Sequence, residues 1–456
     1  MEQTKKTNNS ALAILTTLFF MWGFITCMND ILIPYLKGVF DLNHTQAMLV
    51  QSAFFGAYFI GSLIYFFISS KIGDPINKIG YKNGIIIGLI TSAIGTALFY
   101  PAASLVSYPF FLSALFILGL GLTILQIAAN PYVAIIGSPE TASGRLNLSQ
   151  GFNSLGTTIA PLIGGYLIFT VFHANDGSAN SVKTPYLIFS MLFIVLAIFI
   201  KTSRLPAFTN QDTLIKGAGA LKFKHLVFGI IAIFMYVGAE VSIGSNMIAF
   251  LGMPEIASLN ESIASSFVSI YWGGLMIGRF CGAISLSQMN NTKKTLLMLI
   301  VPIIAFLIVL STNGIEFAST YGIFLFLNII VFRSGKFLPA RTLFLFAIAA
   351  ASLVLLTIFT SGHLAMWSLI AVGLFNSIMW SNIFTLSIDG LGDYTSQGSS
   401  LLVMAILGGA VLPLLQGVVA DSFGLHNSFW VPFFAYLYII FYGLYGYKAG
   451  RKDYLK

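Results

Sequence analysis

Apolar runs long enough to cross a bilayer recur from one end of the sequence to the other, and they leave few folds open. A spanning helix needs about 20 predominantly apolar residues. Such runs lie at roughly 11–36, 48–70, 83–103, 108–136, 148–172 and 186–201. After a polar stretch they resume at 226–251, 263–287, 295–312, 318–332, 343–361, 366–388, 399–420 and 429–447. That makes fourteen candidate crossings. The run at 318–332 is the shortest, and a tilted, re-entrant or merely buried segment stays open for it. Charged residues are 8% of the chain and apolar residues 57%, where soluble domains carry about 25% charge. No soluble fold covers such a core, so the expected class is an all-α polytopic membrane protein. Cys27 and Cys281 both fall in apolar runs, which excludes a disulfide scaffold or a cysteine metal site.

Basic residues give the runs a sidedness. Threading the chain through fourteen crossings puts all Lys and Arg but Lys37, Lys183 and Arg279 on the side of both termini, out of 23. By the positive-inside rule that side is cytoplasmic. Lys5 and Lys6 before an apolar run imitate a signal peptide, but the run is too long and leads into Asn29-Asp30 rather than a small-residue cleavage site.

The chain also repeats itself. Gly121 and Gly373, Asn130 and Asn382, Gly156 and Gly408, Pro161 and Pro413, and Gly165 and Gly417 are each 252 residues apart. Earlier matches, Gly23 with Gly238 and Gly61 with Gly278, are 215 to 217 apart. The offset grows by about the length of the two runs at 295–332, which suggests an inserted helical hairpin. The expected organisation is an N-terminal six-helix bundle (1–201), a cytoplasmic linker (202–225) and a C-terminal bundle (226–456) holding the insertion. Parallel six-helix repeats of this kind are the architecture of major facilitator transporters.

A carboxylate at the centre of a spanning helix costs about 2.5–3.5 kcal/mol on insertion scales and marks function by default. Asp30 and Glu240 are the two placed well inside apolar runs. Asp30 shares a small, polar helical stripe with Gly23, Thr26, Cys27 and Pro34, a face unsuited to lipid. The fourth run carries Gly119, Thr123, Gln126 and Asn130 at helical spacing, and the fifth carries Gln150, Asn153 and Thr157. Amides offer donors and acceptors together, which suits a ligand rich in hydroxyls, although buried amides also bond helices to one another. Arg279 reads as a helix or loop contact, and Trp22, Tyr236, Trp272 and Trp380 as packing or as platforms for a sugar ring. All five His sit in loops or at run ends. The chain lacks G-x4-G-K-[ST], H-E-x-x-H and G-x-S-x-G, so no ATP site, metal, cofactor or enzymatic activity is expected. The insertion is poor in polar groups, chiefly Asn328, and reads as accessory to transport.

Several segments resemble the fucose permease family of the major facilitator superfamily. Trp22-Gly-Phe-Ile-Thr-Cys-Met-Asn-Asp30-Ile-Leu-Ile-Pro34 is similar to that family's first helix. Leu125-Gln-Ile-Ala-Ala-Asn-Pro131-Tyr and Arg145-Leu-Asn-Leu-Ser-Gln150-Gly-Phe-Asn153-Ser-Leu-Gly156-Thr are similar to its fourth and fifth. Tyr236-Val-Gly-Ala-Glu240-Val-Ser-Ile-Gly244-Ser, Tyr271-Trp-Gly-Gly-Leu-Met-Ile-Gly-Arg279-Phe and Gly373-Leu-Phe-Asn376-Ser-Ile resemble its glucose/galactose transporter branch. The resemblance covers nearly the whole chain except 295–332.

The resemblance implies a sugar:proton symporter in a bacterial inner membrane. It implies that Asp30 carries the coupled proton, with Glu240 as a second carboxylate. Asn29, Gln126, Asn130, Gln150, Asn153 and Asn376 become the sugar-binding candidates. Gln126 stands where fucose permease has an essential glutamate, which weighs against fucose itself. A glucose- or galactose-like hexose is the expected substrate; sodium coupling, or N-acetylglucosamine or fucose as cargo, is the alternative. A monomer in the lipid bilayer with no nucleic-acid partner completes the expectation.

Overall fold

The computed structural model describes residues 7–41, 44–166, 179–208 and 217–451. Lys5, Lys6, Lys216, Lys452 and Lys456 of the basic side, and His173, lie outside them. The first half comprises α1 (Asn9–Phe40), α2 (His44–Ile72), the short α3 (Pro75–Ile79), α4 (Tyr81–Ala97), α5 (Phe99–Ser104), α6 (Tyr108–Ile135), α7 (Ala142–Tyr166) and α8 (Lys183–Thr202). The second comprises α9 (Lys224–Leu251), α10 (Glu261–Ser285), α11 (Asn291–Ser334), α12 (Pro339–Phe359), α13 (Gly362–Asn376) and α14 (Met379–Ile388). It ends with α15 (Thr395–Met404), α16 (Gly408–Phe423), α17 (Leu425–Ser428) and α18 (Trp430–Leu444). The described residues contain no strand. That follows from a lipid solvent, in which helices satisfy every backbone group internally.

The glycine repeat has a packing cause. A Cβ on Gly23 would collide with the carbonyl of Asn153, and one on Gly156 with that of Phe20. α1 and α7 therefore cross with their backbones almost touching. In the second half Gly408 meets the carbonyl of Phe234 and Gly238 meets the side chain of Leu412. This brings α9 against α16 in the same way. The two pairs are one crossing, built twice.

Twelve stretches among the described residues are long and apolar enough to cross a membrane, against fourteen expected. Two features account for the difference. α7 is 25 residues long, but Arg145, Asn147, Gln150 and Asn153 keep its hydropathy low. α11 counts as one stretch of 44 residues, yet at about 1.5 Å per residue it would be twice the thickness of a hydrocarbon core. It is broken at Gly314, whose φ of 81° and ψ of 175° reverse the chain. Arg333 Nη1 donates to Thr295 Oγ1 at 2.7 Å, and a Cβ on Gly322 would lie 3.2 Å from the Phe306 ring. Both pairs are symmetric about Gly314, so the two arms are antiparallel. The second arm runs from Ile315 to Ser334, longer than the apolar run of 318–332 suggested.

Candidate functional site

A buried charged cluster begins on α9. Glu240 is 8% exposed, and Tyr236, one turn earlier, donates from Oη to Glu240 Oε1 at 2.6 Å. Arg279 of α10 brings Nη2 to 3.9 Å from the same oxygen. Its Nη1 donates to Ser154 Oγ of α7, and its Nε to the Ser377 carbonyl at 3.2 Å. One guanidinium thus joins the buried carboxylate to the opposite half of the molecule. The planar fork of arginine permits three directions at once, which an ammonium on a flexible stem does not offer in fixed geometry. Beside it, Asn376 Nδ2 donates to Tyr271 Oη at 2.9 Å, and Tyr271 Oη donates to the Glu240 carbonyl at 3.1 Å. Tyr436 Oη closes the cluster by donating to Asn376 Oδ1 at 2.7 Å.

The other candidates divide. Asn29 and Asp30 belong to α1, and their side chains lie outside the described residues. Gln126 is 4% exposed and lies beside the Tyr58 hydroxyl, as does Trp22. Asn153 Nδ2 donates to the Phe19 carbonyl at 3.0 Å, so in this state it bonds α7 to α1. Asn130 is fully buried with neither side-chain polar atom partnered, a costly arrangement unless something else meets it. Gln150 is buried on α7. Among the described residues no hydrogen bond joins Gln126, Asn130 or Gln150 to Glu240, Arg279 or Asn376. Trp380 stacks on Phe384 at 4.7 Å, while Trp272 is 41% exposed.

The sequence marked Arg279 as a helix or loop contact, which its bonds to Ser154 and Ser377 are, but did not pair it with Glu240. The signal was there: an arginine inside a span is as expensive as a carboxylate and has to find a partner.

A second set of contacts between the halves gathers at the end rich in Lys and Arg. Asn147 Nδ2 donates to Asn382 Oδ1 at 3.1 Å, and the hydroxyls of Ser143 and Thr385 meet at 2.5 Å. Asn77 Nδ2 donates to the Asp393 carbonyl at 2.6 Å, and Gln288 Nε2 to Ser138 Oγ at 2.9 Å. Ser396 Oγ donates to Tyr81 Oη, and Gln397 Nε2 to Ser69 Oγ, both at 3.2 Å. Gln397 also holds the linker, accepting from Ala220 N at 2.9 Å. In the adjoining loop Asp74 caps α3, and Tyr65 Oη donates to its Oδ1 at 2.5 Å. Burial pushes the Asp74 carboxyl up to about 6, against the pull of Tyr65 and the backbone amides of Ile76, Asn77 and Gln397.

Two helical halves, a buried ion pair bonded across to the other half and a basic end closed by hydrogen bonds describe a carrier rather than a pore. The profile of the Major Facilitator Superfamily matches residues 13–333, and the chain belongs to that superfamily. It is 45% identical to the glucose/galactose transporter of Brucella abortus, over 98% of this chain and 96% of that one. It is 31% identical to the L-fucose-proton symporter of Escherichia coli, over 90% and 87%. The crystal structure of a Major Facilitator Superfamily transporter, FucP, in the outward conformation superposes with a TM-score of 0.75 at 29% identity, covering 95% of this chain and 97% of that one.

Proposed function

We propose that the protein is a proton-coupled sugar symporter that carries a glucose- or galactose-like hexose into the cell by alternating access. It works as a carrier, not an enzyme, in a bacterial inner membrane with both termini in the cytoplasm. The halves 1–201 and 226–456 rock about the linker 202–225. The observation that carries this reading is the Glu240–Arg279–Ser154 bridge, an ionic group held at the junction of the two halves. Support comes from the hexose and proton named for relatives that align along almost the whole chain.

Sugar binds among Asn29, Gln126, Asn130, Gln150, Asn153 and Asn376. Several of these now bond to protein, and hydroxyls of the sugar replace those bonds on loading. Asp30 takes the proton, because a carboxylate in a low-dielectric span is costly in its charged form and cheap once neutral. Glu240 is the second carboxylate of the coupling path.

The test is uptake of D-galactose and D-glucose by proteoliposomes in sodium-free buffer under an imposed pH gradient, with Asp30→Asn alongside. Asparagine imitates the protonated acid. Sugar exchange across the membrane should persist in that variant while uphill accumulation is lost. Uptake that requires sodium overturns the proton; accumulation by Asp30→Asn equal to the parent overturns the role of Asp30.

A further inference from the structure

The hairpin of α11 packs on α10, α12 and α13. Along its second arm the buried residues are Ala318, Tyr321, Leu325, Asn328 and Phe332, a stripe at helical spacing that faces the protein. Phe317 and Tyr321 pack against Trp367 of α13, with ring centroids 4.7 and 6.4 Å away. Apolar packing of this kind would hold the arm without help. Asn328 is the exception, 1% exposed within an otherwise greasy surface.

Its amide has a definite target. Asn328 Nδ2 donates to the carbonyl of Leu374 at 3.2 Å. Leu374 lies in the last turn of α13, which ends at Asn376 before α14 begins at Met379. The final carbonyls of a helix have no partner along the chain, and this break sits in the protein interior. Ser377 Oγ donates to the same Leu374 carbonyl at 2.7 Å, and Arg279 Nε takes the Ser377 carbonyl at 3.2 Å. Two residues beyond Leu374 stands Asn376, held between Tyr271 and Tyr436. A chain of short contacts therefore runs from the hairpin to the break, and from the break to Tyr271, Glu240 and Arg279.

We propose that Asn328 is a positioning residue for transport: by holding the Leu374 carbonyl it fixes the α13–α14 break, and so the placement of Asn376 and the Glu240–Arg279 bridge. The hairpin is then a brace for the site and not only a lipid-facing addition. This rests on reading Glu240, Arg279 and Asn376 as part of the transport site.

The experiment uses the full-length carrier in proteoliposomes with D-galactose as the probe. Asn328→Leu keeps the side chain's bulk and removes the donor. Loss of one such hydrogen bond is worth about 1 kcal/mol, or about fivefold. The apparent KM should rise about fivefold and the pH profile of uptake should shift, with the melting temperature close to the parent's. Ser377→Ala, which removes the other donor to the same carbonyl, should couple to Asn328→Leu non-additively. Tyr321→Phe, in the same stripe but away from the break, should change neither KM nor pH profile. A fall in melting temperature with KM and pH profile unmoved would mean packing alone and overturn the proposal, as would no change at all. Should Asn328→Leu not fold, Asn328→Ser is read by the same criteria. Glu240→Gln separates the two readings: if it leaves transport untouched, the site assignment has failed, not the brace.

Discussion

Two of the places where the described residues of the halves meet are built from different chemistry. At the junction near Ser154 the contact is charge-assisted and buried: Arg279, paired with Glu240 inside the second half, donates across to the Ser154 hydroxyl, and the side chains of Glu240 and Arg279 are each 11% exposed. At the basic end the six named contacts pair amides, hydroxyls and a backbone carbonyl, and none of them pairs opposite charges. A buried ion pair gains little net stability but punishes the loss of either partner. Neutral hydrogen bonds contribute about 1 kcal/mol each and are broken at similar cost. The first kind suits a group whose charge state must matter to the cycle. The second suits a latch that opens and closes many times without stranding a charge.

The largest effect should come from breaking the ionic contact on one side. Glu240→Ala leaves the Arg279 guanidinium buried without its carboxylate, at a cost of about 3–5 kcal/mol. Thermal melting in detergent should fall sharply. Glu240→Leu combined with Arg279→Leu should recover most of that loss, because both charges go together, yet should not recover uptake. A single Glu240→Ala that melts like the parent would show that the pair is not the buried unit described.

Next in size is a pH effect confined to the basic end. The Asp74 carboxyl sits at about 6 in the closed state, from a usual value of 3.8. A group whose pKa is raised by burial binds its proton more tightly in the closed state than when exposed. The closed state is therefore favoured as pH falls through about 6 and loses that advantage as pH rises. Between pH 7 and pH 5 the closed-to-open ratio should rise by about tenfold. Spin-label distances across the basic end would report it, and Asp74→Asn should flatten the response while leaving uptake at pH 7 in place.

How much of this was legible in the sequence depends on how far apart the partners lie along the chain. The glycine pairs could be found because a repeated fold needs the same close approach twice. The hairpin could be found because it displaces that repeat. Glu240 stood out, with Asp30, as a carboxylate in an apolar run. Its meaning did not, since Arg279 is 39 residues away and Ser154 is in the other half. Asn376 was legible as polar, but not its capture by Tyr271 and Tyr436. Asn147, which carries the contact to Asn382, sat unremarked beside the more conspicuous Gln150 and Asn153. Helical spacing reveals which face a residue takes, and stays silent about which helix that face meets.

The smallest effects belong to the neutral latch, and they test its chemistry most directly. Asn147→Ala removes the one bond this side chain makes to the other half, its second bond being to Ser143 within α7, and should shift the closed-to-open ratio by about fivefold. Asn382→Ala should do the same, and the double variant should be little worse than either, because the two residues share one bond. Salt adds the complementary measurement. Raising ionic strength from about 0.05 to about 0.5 M shortens the screening length severalfold and weakens exposed ion pairs. Bonds between uncharged groups are indifferent to it. Spin-label distances at the basic end, taken at pH 7 where Asp74 titrates little, should stay constant across that range in the parent and in Asn147→Ala alike. Opening that increases with salt would mean that ion pairs close this end, and the contrast between the two contacts would be lost.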